Sequence, residues 1–96
     1  MHISLLTHLQ LSMATIRQTE GHTTSVIVAS TKSSSPAQLG GILRGDIITS
    51  VNGQSVRTTK DVLAILTTIH ADRKVVFTVL RDGNLMSCAV IPTSRT

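Results

Sequence analysis

The sequence predicts an α+β fold that is mainly β, with two helices, and three observations predict it. Runs rich in β-branched residues recur along the chain, at Val26-Ile27-Val28, Ile47-Ile48 and Val75-Val76, and such residues favour strands. Turn signals stand beside these runs, at Arg44-Gly45-Asp46, Asn52-Gly53 and Asp82-Gly83. One stretch changes to helical period: Val62, Ile65, Leu66 and Ile69 recur at three- and four-residue spacing.

In chain order, His2 to Leu6 is a candidate first strand and Leu9 to Arg17 a second. The second alternates, with Leu9, Leu11 and Met13 on one face and Gln10 and Ser12 on the other. Glu20-Gly21 turns the chain, and Thr23 to Ser30 returns as the partner strand. After the polar loop Thr31 to Ser35, a hydroxyl residue before Pro36 suits a helix start, and Gly40-Gly41 closes that helix after about one turn. A strand then runs between the Arg44-Gly45-Asp46 and Asn52-Gly53 turns, with a short strand after it. Thr58 or Thr59 caps a longer helix to about Ile69, with Asp61 placed for its dipole and His70 at its far end. Lys74 to Arg81 and Leu85 to Ile91 form a hairpin about Asp82-Gly83, and Pro92 ends the last strand.

Ninety-six residues suffice for one modest core and leave no room for a second, so residues 1–96 read as one domain, with 1–8 and 92–96 expected as frayed ends. The 41% hydrophobic content is nearly all aliphatic, with one Phe and neither Trp nor Tyr, so Val, Ile and Leu must build the core. A net charge of +4 is spread over scattered Lys and Arg without aromatics for base stacking, which points to a solvated surface and away from nucleic acid. Cys88 is the single cysteine; it forms no internal disulfide or cysteine metal cage and fits a reducing, cytoplasmic setting. Its place in an alternating strand reads as a small buried apolar residue rather than a reactive thiol. Met1 to Leu6 is apolar but lacks the basic start of a signal peptide, and no stretch approaches the roughly 18 apolar residues of a membrane span, so neither is expected. His2, His8, His22 and His70 have no metal-ligand spacing, and no nucleophile constellation stands out; neither catalysis nor a cofactor is implied.

Ser35-Pro36-Ala37, then Gly41-Ile42-Leu43-Arg44-Gly45-Asp46-Ile47-Ile48, then Val51-Asn52-Gly53 resembles the linked signature of PDZ domains. Its four parts, Ser35-Pro36-Ala37, Gly41-Ile42-Leu43, Gly45-Asp46 and Val51-Asn52-Gly53, are each commonplace alone; four at this spacing are specific. The resemblance covers nearly the whole chain. It implies a partly open antiparallel β-sandwich of five to six strands with two helices, and a non-catalytic module that captures the C-terminal tails of partner proteins, as adaptor or scaffold. The Arg81-Asp82-Gly83 hairpin with a further strand is more like the PDZ domains of HtrA-type and tail-specific proteases, where the last strand fills a place the first strand fills elsewhere. That leaves a second reading, a substrate-sensing domain detached from an HtrA-type serine protease. His2 to Leu6 and Leu85 to Ile91 are both candidates for that place. A further reading is a PDZ-like structural domain whose groove is occluded.

The resemblance also implies the site. A peptide, apolar at its last residue, adds as a strand to an exposed edge beside a helix, with its carboxylate in a nest of backbone N–H groups on an apolar-Gly-apolar segment. The matching residues are Leu11, Ser12, Met13 and Ala14, continuing through Thr15 and Ile16 along the edge. Ser12 departs from the family's glycine, which turns amides inward at little steric cost. A register one residue on makes Met13 the glycine position and Ala14 the apolar one, and the plain alternative makes Leu11 and Met13 core residues of a strand. On the helix the groove-facing positions match Thr59, Leu63 and Leu66, beside a core stripe of Val62, Ile65 and Ile69. Leu66 suits either stripe; Leu63 is a large apolar side chain off the core stripe. The family's His at the helix start selects a ligand Ser or Thr, and Thr59 stands there.

Overall fold

The structure, a computed structural model, describes residues 11–17, 24–69 and 73–91. Among these residues, six strands and two helices follow in the order β1 (Leu11–Arg17), β2 (Thr24–Thr31), α1 (Pro36–Leu39), β3 (Ile47–Val51), β4 (Gln54–Ser55), α2 (Thr59–Leu66), β5 (Val75–Arg81) and β6 (Asn84–Val90). All the pairings are antiparallel, and the strands form one hydrogen-bonded sheet in the order β1-β2-β3-β5-β6, with β4 paired to β3. This matches the mainly β fold with two helices that the sequence predicts. The candidate strand His2 to Leu6 and the Glu20-Gly21 turn lie outside the described residues.

Local chemistry accounts for each element. The β1–β2 pairing slips between Ser12 and Met13, where Ala29 is the extra residue on β2, and such a bulge bends the ribbon. Ser35 caps α1 by accepting from the Gln38 N–H, and Pro36 occupies the first turn, where its missing N–H costs nothing. Asn52-Gly53 and Asp82-Gly83 both sit at positive φ, 50° and 82° in one case and 51° and 80° in the other. Two such residues match the twist of a two-residue hairpin loop, so they join β3 to β4 and β5 to β6. The Asn52 side-chain oxygen also accepts from the Val76 N–H at 2.8 Å, tying the first of these turns to β5.

For α2 the structure chooses Thr58 as cap. Its hydroxyl accepts from the Asp61 N–H at 3.2 Å while the Asp61 carboxylate accepts from the Thr58 N–H at 3.2 Å, a reciprocal capping box. The helix ends at Leu66, one turn short of the expected Ile69. Thr67 and Thr68 donate their hydroxyls to the carbonyls of Ala64 and Ile65, and the last amides tighten to three-residue bonds, Thr68 to Ile65 and Ile69 to Leu66.

Among the described residues one core cluster joins the sheet to both helices: Leu11 of β1, Val26 and Val28 of β2, Ile48 and Val51 of β3, Val75, Phe77 and Val79 of β5, Cys88 and Val90 of β6, Ala37 of α1, Val62 and Leu66 of α2, and Ile42 and Val56 between elements. The helix thus turns Val62 and Leu66 fully inward, while Ile65 and Ile69 pack only partly against the core. β6 pairs along the whole of β5, so the place for which two strands compete in the sequence is filled by Asn84–Val90.

Candidate functional site

β1 ends the strand order, and among the described residues its outer edge pairs with no other strand. α2 lies alongside. Leu11, Ser12 and Met13 of β1 and Thr59 and Leu63 of α2 line a depression of about 310 Å³ between the two elements. Of the residues expected there, Leu11 is buried, Met13 and Leu63 half-buried and Ser12 exposed. Ala14 and Ile16 are half-buried on the alternate face of β1, and Thr15 is exposed on the face of Leu11 and Met13. Leu66 is 2% exposed and belongs to the core cluster, which leaves the helix side of the groove to Thr59 and Leu63.

Leu11 to Ala14 differ from the inward-turned loop implied by the resemblance. They are the first four residues of β1, paired to Thr31, Ser30, Val28 and Ile27, and none has positive φ. A serine has no glycine-like freedom to aim successive amides at one point, so the segment stays extended.

A hydrogen-bonded link joins β1 to the start of α2. The Thr15 hydroxyl oxygen accepts from the Thr59 N–H at 2.9 Å, and its proton points to the Thr59 hydroxyl oxygen at 3.4 Å. Thr59 is the first helical residue of α2, where the N–H has no partner within the helix, so the strand supplies it. Thr24 adds a brace beside it, donating to the Arg57 carbonyl at 2.7 Å. The sequence pattern contains no sign of the Thr15–Thr59 pair, which joins residues 44 positions apart.

Nor does it reveal what holds the Gly41–Asp46 loop. Asp46, 2% exposed, accepts from Arg81 Nε at 2.8 Å, from Arg81 Nη2 at 2.6 Å and from the Leu43 N–H at 2.9 Å; Arg81 Nη2 also donates to the Gly41 carbonyl at 2.7 Å. Burial pushes the Asp46 carboxyl up, but these hydrogen bonds and the Arg81 charge together outweigh it, and its pKa lies below the ordinary value. Arg81 is held above its ordinary value, chiefly by its hydrogen bond to Asp46. Cys88 is buried, and burial raises its thiol, as suits a packing residue.

Two other depressions flank these elements. One, of about 400 Å³, lies between α1 and the end of β6, beside Leu39 at 77% exposure and Ile91. There the two elements touch: a Cβ on Gly40 would fall 2.5 Å from Val90 Cγ2, so no strand fits between them. The other, about 470 Å³, lies on the opposite flank of α2, lined by Gln54, Ser55, Arg57, Asp61, Ala64 and Ile65. The β1–α2 depression combines a strand edge that is unpaired among the described residues with a helix standing off from it.

Comparison with known proteins bears on the fold and the family. The PDZ domain family model matches residues 11–91. The chain belongs to the PDZ family. Over 66 residues this PDZ domain is 33% identical to the magnetosome formation protease MamE of Paramagnetospirillum magneticum (strain AMB-1), a match that covers 69% of the chain and 9% of that protein. The chain thus spans about a tenth of the curated relative it matches. Among solved structures, the HtrA3 PDZ domain bound to a phage-derived ligand (FGRWV) superposes with a TM-score of 0.75 at 24% identity, covering 88% of this chain and 83% of that one. The HtrA-type protease AlgW with decapeptide gives 0.75 at 21% identity, covering 86% of this chain and 27% of that one. A PDZ domain is a binding module, and the relationship to protease PDZ domains concerns only that part of those proteins.

Proposed function

We propose that this PDZ domain captures the C-terminal tails of partner proteins by strand addition to β1, between β1 and α2. The observation that carries the reading is the edge of β1, unpaired among the described residues, beside the gap lined by Leu11, Met13, Thr59 and Leu63. The edge offers backbone hydrogen bonds, which give affinity for any extended peptide, and the gap offers an apolar pocket, which selects a side chain. An apolar last residue fits the Leu11, Met13 and Leu63 surface. The carboxylate then lies at the start of β1, near the backbone of Ser12, and the peptide runs back toward Arg17. Two structural neighbours are peptide-bound, one with a decapeptide and one with a phage-derived ligand that ends in V, which supports a peptide as the ligand here.

Extended backbone at Ser12 gives fewer convergent donors than a glycine loop, so modest affinity follows, roughly micromolar or about −8 kcal/mol. Calorimetry with a pentapeptide ending in Val, as free acid and as amide, tests the reading. The acid is expected to bind and the amide more weakly, since an N–H donates more strongly to a charged carboxylate than to a neutral amide end; equal binding refutes it. A second reading, the substrate-sensing domain of an HtrA-type protease, draws support from the similarity to MamE and from β6 beside β5. A Gly-Asn-Ser-Gly-Gly type nucleophile motif encoded in the flanking gene sequence is the expected finding for that reading.

A further inference from the structure

We infer that the outer edge of β6 pairs two copies of this chain about a two-fold axis at Met86, which leaves the β1–α2 groove open on each. The inference stands apart from the strand-addition reading, because β6 ends the sheet on the side opposite β1.

Val76 of β5 turns both its backbone groups away from β6: its N–H donates to the Asn52 side chain and its carbonyl accepts from the Asn52 N–H, each at 2.8 Å. Val76 faces Ala89 across the β5–β6 ladder, so that pair is not hydrogen-bonded, and bonded and non-bonded pairs alternate along an antiparallel ladder. The pairs Thr78–Ser87 and Leu80–Leu85 are of the same kind, and the N–H and C=O groups of Leu85, Ser87 and Ala89 therefore point off the sheet. α1 covers the last of these, since a Cβ on Gly40 would fall 2.8 Å from the Ala89 carbonyl oxygen. What remains is a window from Asn84 to Cys88, with the Asp82-Gly83 turn at one end and α1 at the other.

Among the described residues nothing guards this window. Asn84–Val90 has no charge, no proline and no bulge against β5, the usual means of blunting an edge, whereas β1 has both a bulge and Arg17. Leu85 is 68% exposed beside Leu80 on one face, and Met86 is 41% exposed on the other. The length of the window selects the occupant. A long strand laid along β6 runs into Gly40 at Ala89. A second copy, antiparallel with Met86 on the axis, sets Leu85 opposite the partner's Ser87 and Ala89 opposite the partner's Gly83, where that chain turns away. Leu85 and Ser87 of each copy then exchange backbone hydrogen bonds, Met86 meets its own equivalent, and a large Leu85 side chain lies beside a small Ser87. Such a pairing closes on itself, so assembly stops at the dimer. Where tails bind as proposed above, two grooves per dimer hold two of them at once.

The test is sedimentation velocity on the unmodified chain from about 10 μM to about 1 mM, a span that suits an interface at the small end of the size range. Mass should rise towards twice that of the chain and stop there, and the Leu85 and Ser87 amides should gain protection from hydrogen exchange over the same span, a readout that needs no variant. Ser87→Pro removes an N–H that β5 does not use, a change an edge position tolerates, and should weaken the dimer by roughly tenfold or more, one donor per copy being lost. Met86→Lys and Met86→Glu should each be monomeric alone and pair when mixed, because residue 86 meets itself on the axis. A chain that stays monomeric throughout overturns the inference, whether the two amides exchange freely or are already protected by another part of the same chain. So do growth beyond the dimer, a dimer that folded Ser87→Pro leaves intact, and folded Met86 variants that fail to pair when mixed.

Discussion

The loop before β3 and the helix after β4 both fold back onto the sheet, and they are fastened differently. Arg81 reaches from β5 into the Gly41–Asp46 loop with three hydrogen bonds, two of them to a carboxylate that is 2% exposed. The start of α2 meets β1 through a single neutral hydroxyl at the surface, that of Thr15. A buried, bidentate, charge-assisted pair is costly to break because each partner is left desolvated; an exposed neutral bond is exchanged for water at little cost. The first flank is thus built to stay shut. The second is fastened lightly, as the proposed entry of a strand requires.

The largest effect follows from cutting the first flank. Asp46→Ala strands the Arg81 guanidinium, whose side chain is 23% exposed, and leaves the Leu43 N–H without its acceptor. Destabilisation of about 2–4 kcal/mol is expected in urea unfolding. Peptide affinity measured well below the unfolding midpoint should not change, because the groove lies on the other flank. A loss of affinity in the folded variant would show that the two flanks are coupled.

Much of the fold was legible because its determinants are local. Ser35-Pro36 starts α1, Thr58 with Asp61 starts α2, and the Asn-Gly and Asp-Gly pairs turn the hairpins, all within four residues of sequence. What the sequence hid joins distant residues: Asp46 reads as a turn residue and Arg81 as a strand end until folding brings them together across 35 positions, and Thr15 to Thr59 spans 44. The inward stripe of α2 was half visible. Val62, Ile65, Leu66 and Ile69 share one apolar arc, and only the angle at which the helix meets the sheet decides that Val62 and Leu66 close inward. At the site, the helix residues Thr59 and Leu63 were read from spacing and resemblance, whereas the strand geometry at Ser12 depends on a residue that departs from the pattern supplying the expectation.

Acid offers a graded way to loosen the first flank alone. Burial raises the Asp46 pKa, but the Arg81 and Leu43 hydrogen bonds and the Arg81 charge outweigh it, so the folded value lies below the ordinary 3.8. A carboxylate depressed on folding contributes stability that is present above its unfolded pKa and is lost as pH falls through its folded one. The stability gap between the unmodified chain and Asp46→Ala is therefore expected to be constant from pH 7 down to about 5 and to narrow below about pH 4. Asp61, depressed chiefly by its hydrogen bond from the Arg57 N–H, titrates with the same sign in both proteins and drops out of the difference. Unfolding curves at pH 6 and pH 3 check this; a gap that widens in acid would mean that protonated Asp46 is the better partner.

The smallest effect on stability belongs to the groove, where two adjacent helix residues separate folding from binding. Val62 is fully buried in the core cluster, while Leu63 is half-buried and lines the gap with Leu11 and Met13. Val62→Ala removes methyl groups from a packed interior and is expected to cost about 1–3 kcal/mol of stability through the cavity it leaves. Leu63→Ala removes atoms that already face water in the free domain, so stability should fall by less than about 1 kcal/mol. Once a peptide covers the gap, those same atoms become buried, and their loss should weaken binding by about 1 kcal/mol, roughly fivefold. Thermal melts and titrations on the two variants read both quantities. If Leu63→Ala melts as low as Val62→Ala, the side chain is holding the helix to the sheet rather than waiting for a ligand, and the gap between β1 and α2 is too well packed for a strand to enter.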